Sequence, residues 1–175
     1  MIHCTTQLTN IVRPCFPSSY RWILETAGKH WAAKRITCGR HNISNGLTIR
    51  TSFDLCSADL QSWAIDNKLW DGKGEFDFAR TYSAGGALDE EDDTSRLVCG
   101  AALMKKCKDG ELDQDAMVSI LRSHEGGICM HGGFETTASM VSELRKDGDG
   151  KLKARHWMTG QSHPCKSQFH LQDPL

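Results

Sequence analysis

The amino-acid sequence predicts an α+β fold in which antiparallel sheets pack with helices. Residues 20–37 and 136–158 each contain two apolar runs of strand character on either side of a polar turn. Between them, apolar residues recur near helical spacing in residues 54–70, 97–104 and 117–121. The chain has 175 residues, of which 39% are hydrophobic, enough for one domain-sized core. Strand pairs separated by helical segments are typical of the α+β class.

Charge and composition argue against several classes of partner. The net charge is −1, the isoelectric point is about 6.7, and the basic residues are scattered along the chain. The long-range positive field that attracts nucleic acid or anionic lipid is therefore not expected. No segment approaches the length of a membrane span, and residues 1–20 lack a signal-type apolar run. We expect a cytoplasmic protein that binds no nucleic acid and has no membrane span.

The eight cysteines are far apart in the sequence, and a chain of this length does not need disulfides for stability. We therefore interpret them as thiols, mostly buried. No CxxC pair occurs. The only loose group of candidate zinc ligands consists of Cys129, His131, His156, His163 and Cys165. Because structural zinc sites usually bring paired ligands at short, fixed spacing, the sequence predicts no metal site and no cofactor.

The first strand pair is predicted at residues 20–37, around a turn at 26–29. A third strand is predicted at residues 41–50, where apolar and polar residues alternate. The pair Asn45-Gly46 interrupts this alternation, and both residues tolerate the positive φ of a bulge or turn.

The first helix is predicted at residues 54–70, with Asp54 or Ser57 available to cap its free amides. The acidic run at residues 87–93 is interpreted as a solvated loop that leads into the second helix. A third helix begins after Asp113, and the glycines at residues 126–127 end it, because glycine readily adopts the left-handed cap conformation.

The glycine-rich segment at residues 126–133 is predicted to be a turn that leads from helix to sheet. Residues 136–144 then form a strand, paired with residues 152–158. Strand alternation places Val141 on one face and Met140 on the other, and we expect Met140 to be a core residue.

Cys129 and His131 lie in this glycine-rich turn and have two interpretations. As nucleophile and base, they would make the turn part of an active site. We expect instead that their side chains point to opposite sides of the extended chain. A packing role for the thiol is therefore favoured.

Four segments of the sequence, in order, resemble the C-terminal half of the secernins. They are WILETAGKHWAAKRI, NISNGLTI, LWDGKGEFDFARTYS and GICMHGGFETTASMVS. The resemblance covers about residues 20–160, whereas residues 1–19 resemble nothing in the family and residues 161–175 diverge from it. Secernins are similar to cysteine dipeptidases of the N-terminal-nucleophile hydrolases. The resemblance therefore implies part of an αββα sandwich and a substrate class of dipeptides or small amides.

The resemblance also implies where the catalytic groups lie. The family's nucleophile is an N-terminal cysteine, in a half that precedes the first strand pair, and we expect this chain to lack it. Cys4 would replace it only if Met1-Ile2-His3 were removed. Asn45 matches an asparagine of the dipeptidase relatives, and the resemblance implies that it donates to the oxyanion. The alternative for Asn45 is turn or bulge chemistry, and both roles remain open.

Two functions of different classes follow from the resemblance. One is a thiol amidohydrolase acting on dipeptides, which we expect to be inactive without the nucleophile half. The other is a noncatalytic regulator of exocytosis that binds a protein partner. A third interpretation is a truncated gene product. Half of a two-layer sandwich leaves apolar sheet faces uncovered. We expect Trp22, Trp31, Ile43 and Ile49 to be among the exposed apolar groups.

Overall fold

The computed structural model describes residues 9–11, 21–37, 39–44, 46–83, 95–108, 111–146 and 148–172. The chain divides into two compact units, Met1–Glu90 and Glu91–Leu175. The strands are β1 (Thr9–Ile11), β2 (Arg21–Ala27), β3 (His30–Ile36), β4 (Arg40–Asn42), β5 (Leu55–Cys56), β6 (Met140–Lys146), β7 (Leu152–Thr159) and β8 (Phe169–Gln172). The helices are α1 (Leu60–Asp66), α2 (Phe78–Tyr82), α3 (Arg96–Lys106) and α4 (Gln114–Leu121). Every strand pairing among them is antiparallel, in agreement with the predicted α+β class.

The first unit contains the predicted hairpin, formed by β2 and β3. Thr26 pairs with Trp31 across the turn, and Gly28 has a φ of 63°, which a residue with a side chain rarely adopts. β5 pairs with the other edge of β3, giving the order β2-β3-β5. The hairpin prediction is confirmed, and the third strand of this sheet comes from a different segment than expected.

The strand predicted at residues 41–50 is wrong over most of its length. Only Arg40–Asn42 is a strand, and it pairs with β1 rather than with the hairpin. The amides of Thr48 and Ile49 donate to the side-chain carboxylate of Glu25, at 2.8 to 2.9 Å. These donors are therefore used by a buried side chain instead of a neighbouring strand. Asn45 lies outside the described residues.

The first helix is shorter than predicted. The side chain of Asp54 accepts a hydrogen bond from the Arg35 amide at 2.8 Å, and the Asp54 amide donates to the Ala33 carbonyl at 2.9 Å. The chain is thus held beside β3 until Cys56, and α1 begins only at Leu60. Neither Asp54 nor Ser57 is its N-cap, because Asp59 occupies that position.

The core of the first unit joins the sheet to the helices through apolar and aromatic side chains. Its buried members are Ile23, Ala32, Ile49, Leu60, Ala64, Phe76 and Phe78. The Tyr82 hydroxyl donates to the Leu60 carbonyl at 2.6 Å. The N-cap of α2 is Asp77, whose side chain accepts from the Arg80 amide. The end of α2 is therefore tied to the start of α1.

The helices of the second unit begin close to their predicted positions. The Ser95 side chain caps α3, and the Asp113 side chain caps α4 by accepting from the Ala116 amide at 2.9 Å. The acidic run at residues 87–93 lies outside the described residues. α4 ends at Leu121, before the glycine pair, so the glycines do not form its C-cap.

The glycine pair instead belongs to a 3-10 turn, Glu125–Gly127, that follows α4. Gly126 has a φ of 62°. A Cβ at this position would lie 2.5 Å from the Cβ and Sγ atoms of Cys99 on α3. Glycine is required here for both backbone conformation and close packing.

The second hairpin is confirmed, with β6 and β7 paired from Met140↔Met158 to Lys146↔Leu152 and β8 added beside β7. Its first strand begins at Met140 and not at residue 136 as predicted. The predicted alternation also holds, but the buried face is the opposite one. Val141 is buried, whereas Met140 is 47% exposed. α4 packs against β6. The prediction that Met140 is a core residue is therefore wrong.

Each of the two larger sheets has apolar side chains on its exposed face. In the first unit these are Trp22, Leu24 and Leu55; in the second they are Met140, Leu144 and Met158. Of the apolar groups expected to be exposed, Trp22 is exposed, but Ile49 is buried. Trp31 and Ile43 are partly buried. Within the described part of the chain, no helix combines the length and apolar character needed to cross a bilayer.

Candidate functional site

Two cysteines and two histidines of the second unit converge on one point at its surface. His124, Cys129, His131 and Cys165, called the Cys–His cluster from here on, place one ligand atom each within 4.8 Å of all the others. The Nε2 atom of His131 lies 3.4 Å from Sγ of Cys129 and 3.2 Å from Sγ of Cys165. Cys129 is buried, Cys165 is partly buried, and the two histidines are exposed.

The segment after α4 supplies three members of the Cys–His cluster and is fixed by its own backbone. The Cys129 amide donates to the Ser123 carbonyl at 2.7 Å. The Thr136 hydroxyl accepts from the Met130 amide at 2.9 Å and donates to the Ile128 carbonyl at 3.2 Å. These bonds lie on either side of Cys129, so they hold its thiol and the His131 ring in place.

Cys165 lies in the turn between β7 and β8, and Arg122 joins this turn to the end of α4. Its guanidinium donates to the Pro164 carbonyl at 3.0 Å and to the Ser167 carbonyl at 2.8 Å. It also lies over the Phe169 ring, 5.6 Å from the centroid. One side chain therefore fixes the position of Cys165 relative to the other cluster members.

His163 lies beside the Cys–His cluster and orients the His131 ring. The two imidazoles are stacked, with centroids 4.1 Å apart and planes 5° apart. His163 has a φ of 65°, in the left-handed region, and its amide donates to the Thr136 carbonyl at 2.8 Å. Its Nε2 atom is 3.8 Å from the Glu135 carboxylate. The Thr136 bond fixes the backbone conformation that places this ring.

The surroundings shift the pKa values of two cluster members in the directions that favour their uncharged forms. Burial raises the pKa of the Cys129 thiol and outweighs a hydrogen bond from the Cys165 backbone, which lowers it, while the Cys165 side chain raises it further. Desolvation lowers the pKa of His131, followed by the charges of His163 and His124. At neutral pH this thiol and this imidazole are therefore both uncharged. A reactive catalytic cysteine shows the opposite shift, toward the thiolate.

The structure brings together residues that the sequence interpretation had separated. The expectation that Cys129 and His131 point to opposite sides is wrong, because Nε2 of His131 lies 3.4 Å from Sγ of Cys129. The predicted burial of Cys129 is confirmed, at 3% exposure. The five described cysteines are free thiols, but only Cys129 is buried and the other four are partly exposed, so the expectation that the cysteines are mostly buried is wrong.

Of the five loosely grouped zinc-ligand candidates, Cys129, His131 and Cys165 enter the Cys–His cluster and His163 lies next to it. His156 is on β7, where its Nδ1 atom is 2.8 Å from the Ser142 hydroxyl. His124 was not among the candidate ligands, because the segment that contains it was predicted only to end the third helix. Its signal was its place five residues before Cys129 in a glycine-rich segment.

The first unit holds two buried polar side chains whose contacts are structural. The Glu25 carboxylate accepts from the amides of Thr48 and Ile49 and from the Thr48 hydroxyl at 2.6 Å. His30 is enclosed by the rings of Trp63 and Tyr82, with centroids at 4.5 and 5.2 Å. Asn45, the predicted oxyanion donor, and Cys4 lie outside the described residues. This unit therefore offers no second cluster comparable to the Cys–His cluster among the residues described.

Comparison with models of known protein families gives no match, and no solved structure matches the chain. The resemblance to the secernins therefore stays a prediction.

Proposed function

We propose that the chain is a secernin-like protein that acts by binding a protein partner and does not hydrolyse dipeptides by itself. The four ordered segments that resemble secernins support the family. A noncatalytic role in exocytosis is what that family implies. The finer fold we propose is part of an αββα sandwich, in which each sheet has helices on one face and a second sheet on the other.

The observation that carries this proposal is the two-sided character of the sheets. In the first unit, Ile23 and Ala32 face the core that includes α1, while Trp22 and Leu24 on the same hairpin are 46% and 59% exposed. In the second unit, Val141 is buried, while Met140 is 47% exposed. Apolar groups on both sheet faces are typical of a sheet that is covered on both sides.

The partner surface that fits these faces is another apolar sheet face. Covering them removes apolar area from water, and each Å² buried stabilises the complex by about 25 cal/mol. Net charge near zero gives no long-range attraction, so contact area rather than charge would determine this binding. The occupant we propose is therefore a β-sheet layer of a protein partner.

Substitutions on the exposed faces test the proposal without disturbing the core. Leu24→Lys and Met158→Lys change exposed side chains on the two sheets, and Leu69→Lys changes an equally exposed leucine outside the sheets. We expect the wild-type chain to bind an apolar fluorescent dye and to self-associate at high concentration. The two sheet variants should reduce both signals, and Leu69→Lys should not. A wild-type chain that stays monomeric and binds no dye would contradict the proposal.

A second candidate function is thiol hydrolysis of a dipeptide or small amide. The observation that favours it is the 3.2 Å distance between Sγ of Cys165 and Nε2 of His131, since a partly exposed thiol beside an imidazole is the arrangement of a nucleophile and its base. Turnover of simple dipeptides that disappears in Cys165→Ser and persists in Cys56→Ser would support it. We expect no dipeptide turnover by the wild-type protein or by either variant.

A further inference from the structure

The Cys–His cluster has the composition and spacing of a tetrahedral metal site. In such a site Zn–S and Zn–N distances are about 2.3 and 2.0 to 2.1 Å, so a sulfur and a nitrogen ligand lie roughly 3.5 Å apart. The two Sγ to Nε2 distances are 3.4 and 3.2 Å, and all four ligand atoms lie within 4.8 Å of one another. Closing around one ion lengthens these two contacts slightly and shortens the longest separation in the cluster by about 1 Å, a movement within reach of side-chain rotation. We propose that the Cys–His cluster binds a single Zn²⁺ ion.

Within the Cys–His cluster, the two thiols compete for one hydrogen-bonding nitrogen. Both thiols approach the same nitrogen, Nε2 of His131. An imidazole nitrogen carries either one lone pair or one hydrogen, so it forms one good hydrogen bond at a time. A cation at the centre of the four ligand atoms contacts all of them at once. The convergence of two sulfurs on one nitrogen is thus better explained by coordination than by packing.

The ligands are held by contacts that do not involve the metal. The Ser123 carbonyl and the Thr136 hydroxyl fix the segment that carries Cys129, and Arg122 fixes the turn that carries Cys165. These two segments are far apart in sequence but meet at the end of α4. Because the ligand side chains are already held in place, less conformational entropy is lost when the ion binds, and this favours high affinity.

The ligand set indicates which metal and which role. Two sulfurs and two imidazoles in tetrahedral arrangement suit zinc, whereas calcium and magnesium require oxygen ligands. Four protein ligands leave no open position for water or substrate, so the site is structural rather than catalytic. Each thiol enters as a thiolate and releases its proton to solvent, giving two protons for each ion bound. The exposed His124 and His131 leave the ion a route from solvent.

The consequence for the fold is a cross-link between the segment after α4 and the turn between β7 and β8. Their cluster residues His131 and Cys165 are 34 positions apart in the chain. Within the described residues, hydrogen bonds of Arg122 and Thr136 already join these segments. Zinc would add a further link between the same two segments, at the surface of the unit.

Zinc titration of the full chain tests the proposal. The reduced protein is freed of metal with a chelator, and zinc is added in competition with a chromophoric chelator. We expect one ion for each chain, and Co²⁺ in its place should give the intense visible bands of a tetrahedral thiolate complex. His131→Asn and Cys165→Ser should each weaken zinc affinity by about 100-fold or more. The matched controls His156→Asn and Cys56→Ser lie outside the cluster and should keep wild-type affinity.

Circular dichroism of the metal-free variants separates loss of ligands from loss of fold. His131 is exposed and Cys165 only partly buried, so both variants should retain the wild-type spectrum. The proposal is overturned if the wild-type chain takes up no zinc under reducing conditions. It is equally overturned if His131→Asn and Cys165→Ser bind zinc as tightly as the two controls, because the ion would then be held elsewhere.

Discussion

The two units of the chain use their polar side chains in different ways. In the first unit, Glu25 and Tyr82 are each bonded to backbone groups of a neighbouring segment. In the second unit, the thiols of Cys129 and Cys165 converge on His131. A carboxylate or hydroxyl bonded to the backbone stabilises the fold, whereas thiols and imidazoles whose ligand atoms lie close together can hold a metal ion. Among the described residues, the second unit therefore carries the candidate chemistry.

The largest effect should come from removing the aromatic centre of the first unit. Phe78 is completely buried, and Phe78→Ala should lower the free energy of unfolding by about 3 to 5 kcal/mol. Phe134→Ala in the second unit is the matched control, because Phe134 is 72% exposed, and its effect should stay within about 0.5 kcal/mol. Chemical denaturation measures both. Equal effects would contradict the packing described here.

The orientation of the second hairpin can be tested by two adjacent substitutions. Val141→Asp places a carboxylate on the buried face and should lower the free energy of unfolding by about 3 kcal/mol or more. Met140→Asp places the same group on the exposed face, with an expected loss of at most about 1 kcal/mol. If Met140→Asp were the more damaging, the faces of β6 would be assigned the wrong way round. Thermal unfolding of both variants provides the comparison.

The Glu25 contacts should account for a smaller but distinct part of the stability of the first unit. Glu25→Leu keeps a side chain of similar size but removes the carboxylate that accepts from the amides of Thr48 and Ile49. We expect a loss of about 2 to 3 kcal/mol, the range for buried donors that lose a charged partner. Asp66→Leu changes an exposed carboxylate on α1 and should be nearly neutral. Urea denaturation distinguishes these outcomes.

The smallest effect concerns acid pH at the surface of the first unit. Partial desolvation raises the pKa of Asp59, but the Lys29 ammonium, 3.3 Å away, outweighs it and holds the pKa below its ordinary value. A lowered pKa in the folded state stabilises the fold above the unfolded-state pKa of 3.8, and the contribution is lost as pH falls below it. Asp59→Asn and Lys29→Met should each flatten the same small part of the stability curve at acid pH. A flattening at neutral pH would contradict this assignment.

The sequence predicted those elements that depend on local residue patterns. It did not predict those that depend on contacts with residues distant in the chain. Both hairpins and the cap at Asp113 follow from local residue patterns, and the structure has them. The early helix start failed because Asp54 accepts from Arg35, on a neighbouring strand. The strand at residues 41–50 failed because Glu25 takes its amides.

The same distinction explains the candidate site. The side chains of Cys129 and His131 meet, although alternation in an extended chain led to the expectation of opposite sides. The sequence grouped Cys165 with them only loosely, without short ligand spacing, because Arg122 brings its turn to them from a distant part of the chain. His124 was hidden in a segment that was read only as a helix end. Metal sites assembled from separate loops are invisible to rules based on short ligand spacing.

Hydrogen exchange with and without zinc tests the contrast between the two units most directly. With one equivalent of Zn²⁺, amides near residues 123–136 and 159–167 should exchange more slowly, because the ion joins those segments. Amides of β2 and β3 in the first unit should be unchanged. The His131→Asn variant should show no protection at either place. Protection spread equally over both units, or absent from the segments that carry Cys129 and Cys165, would contradict the proposed zinc site.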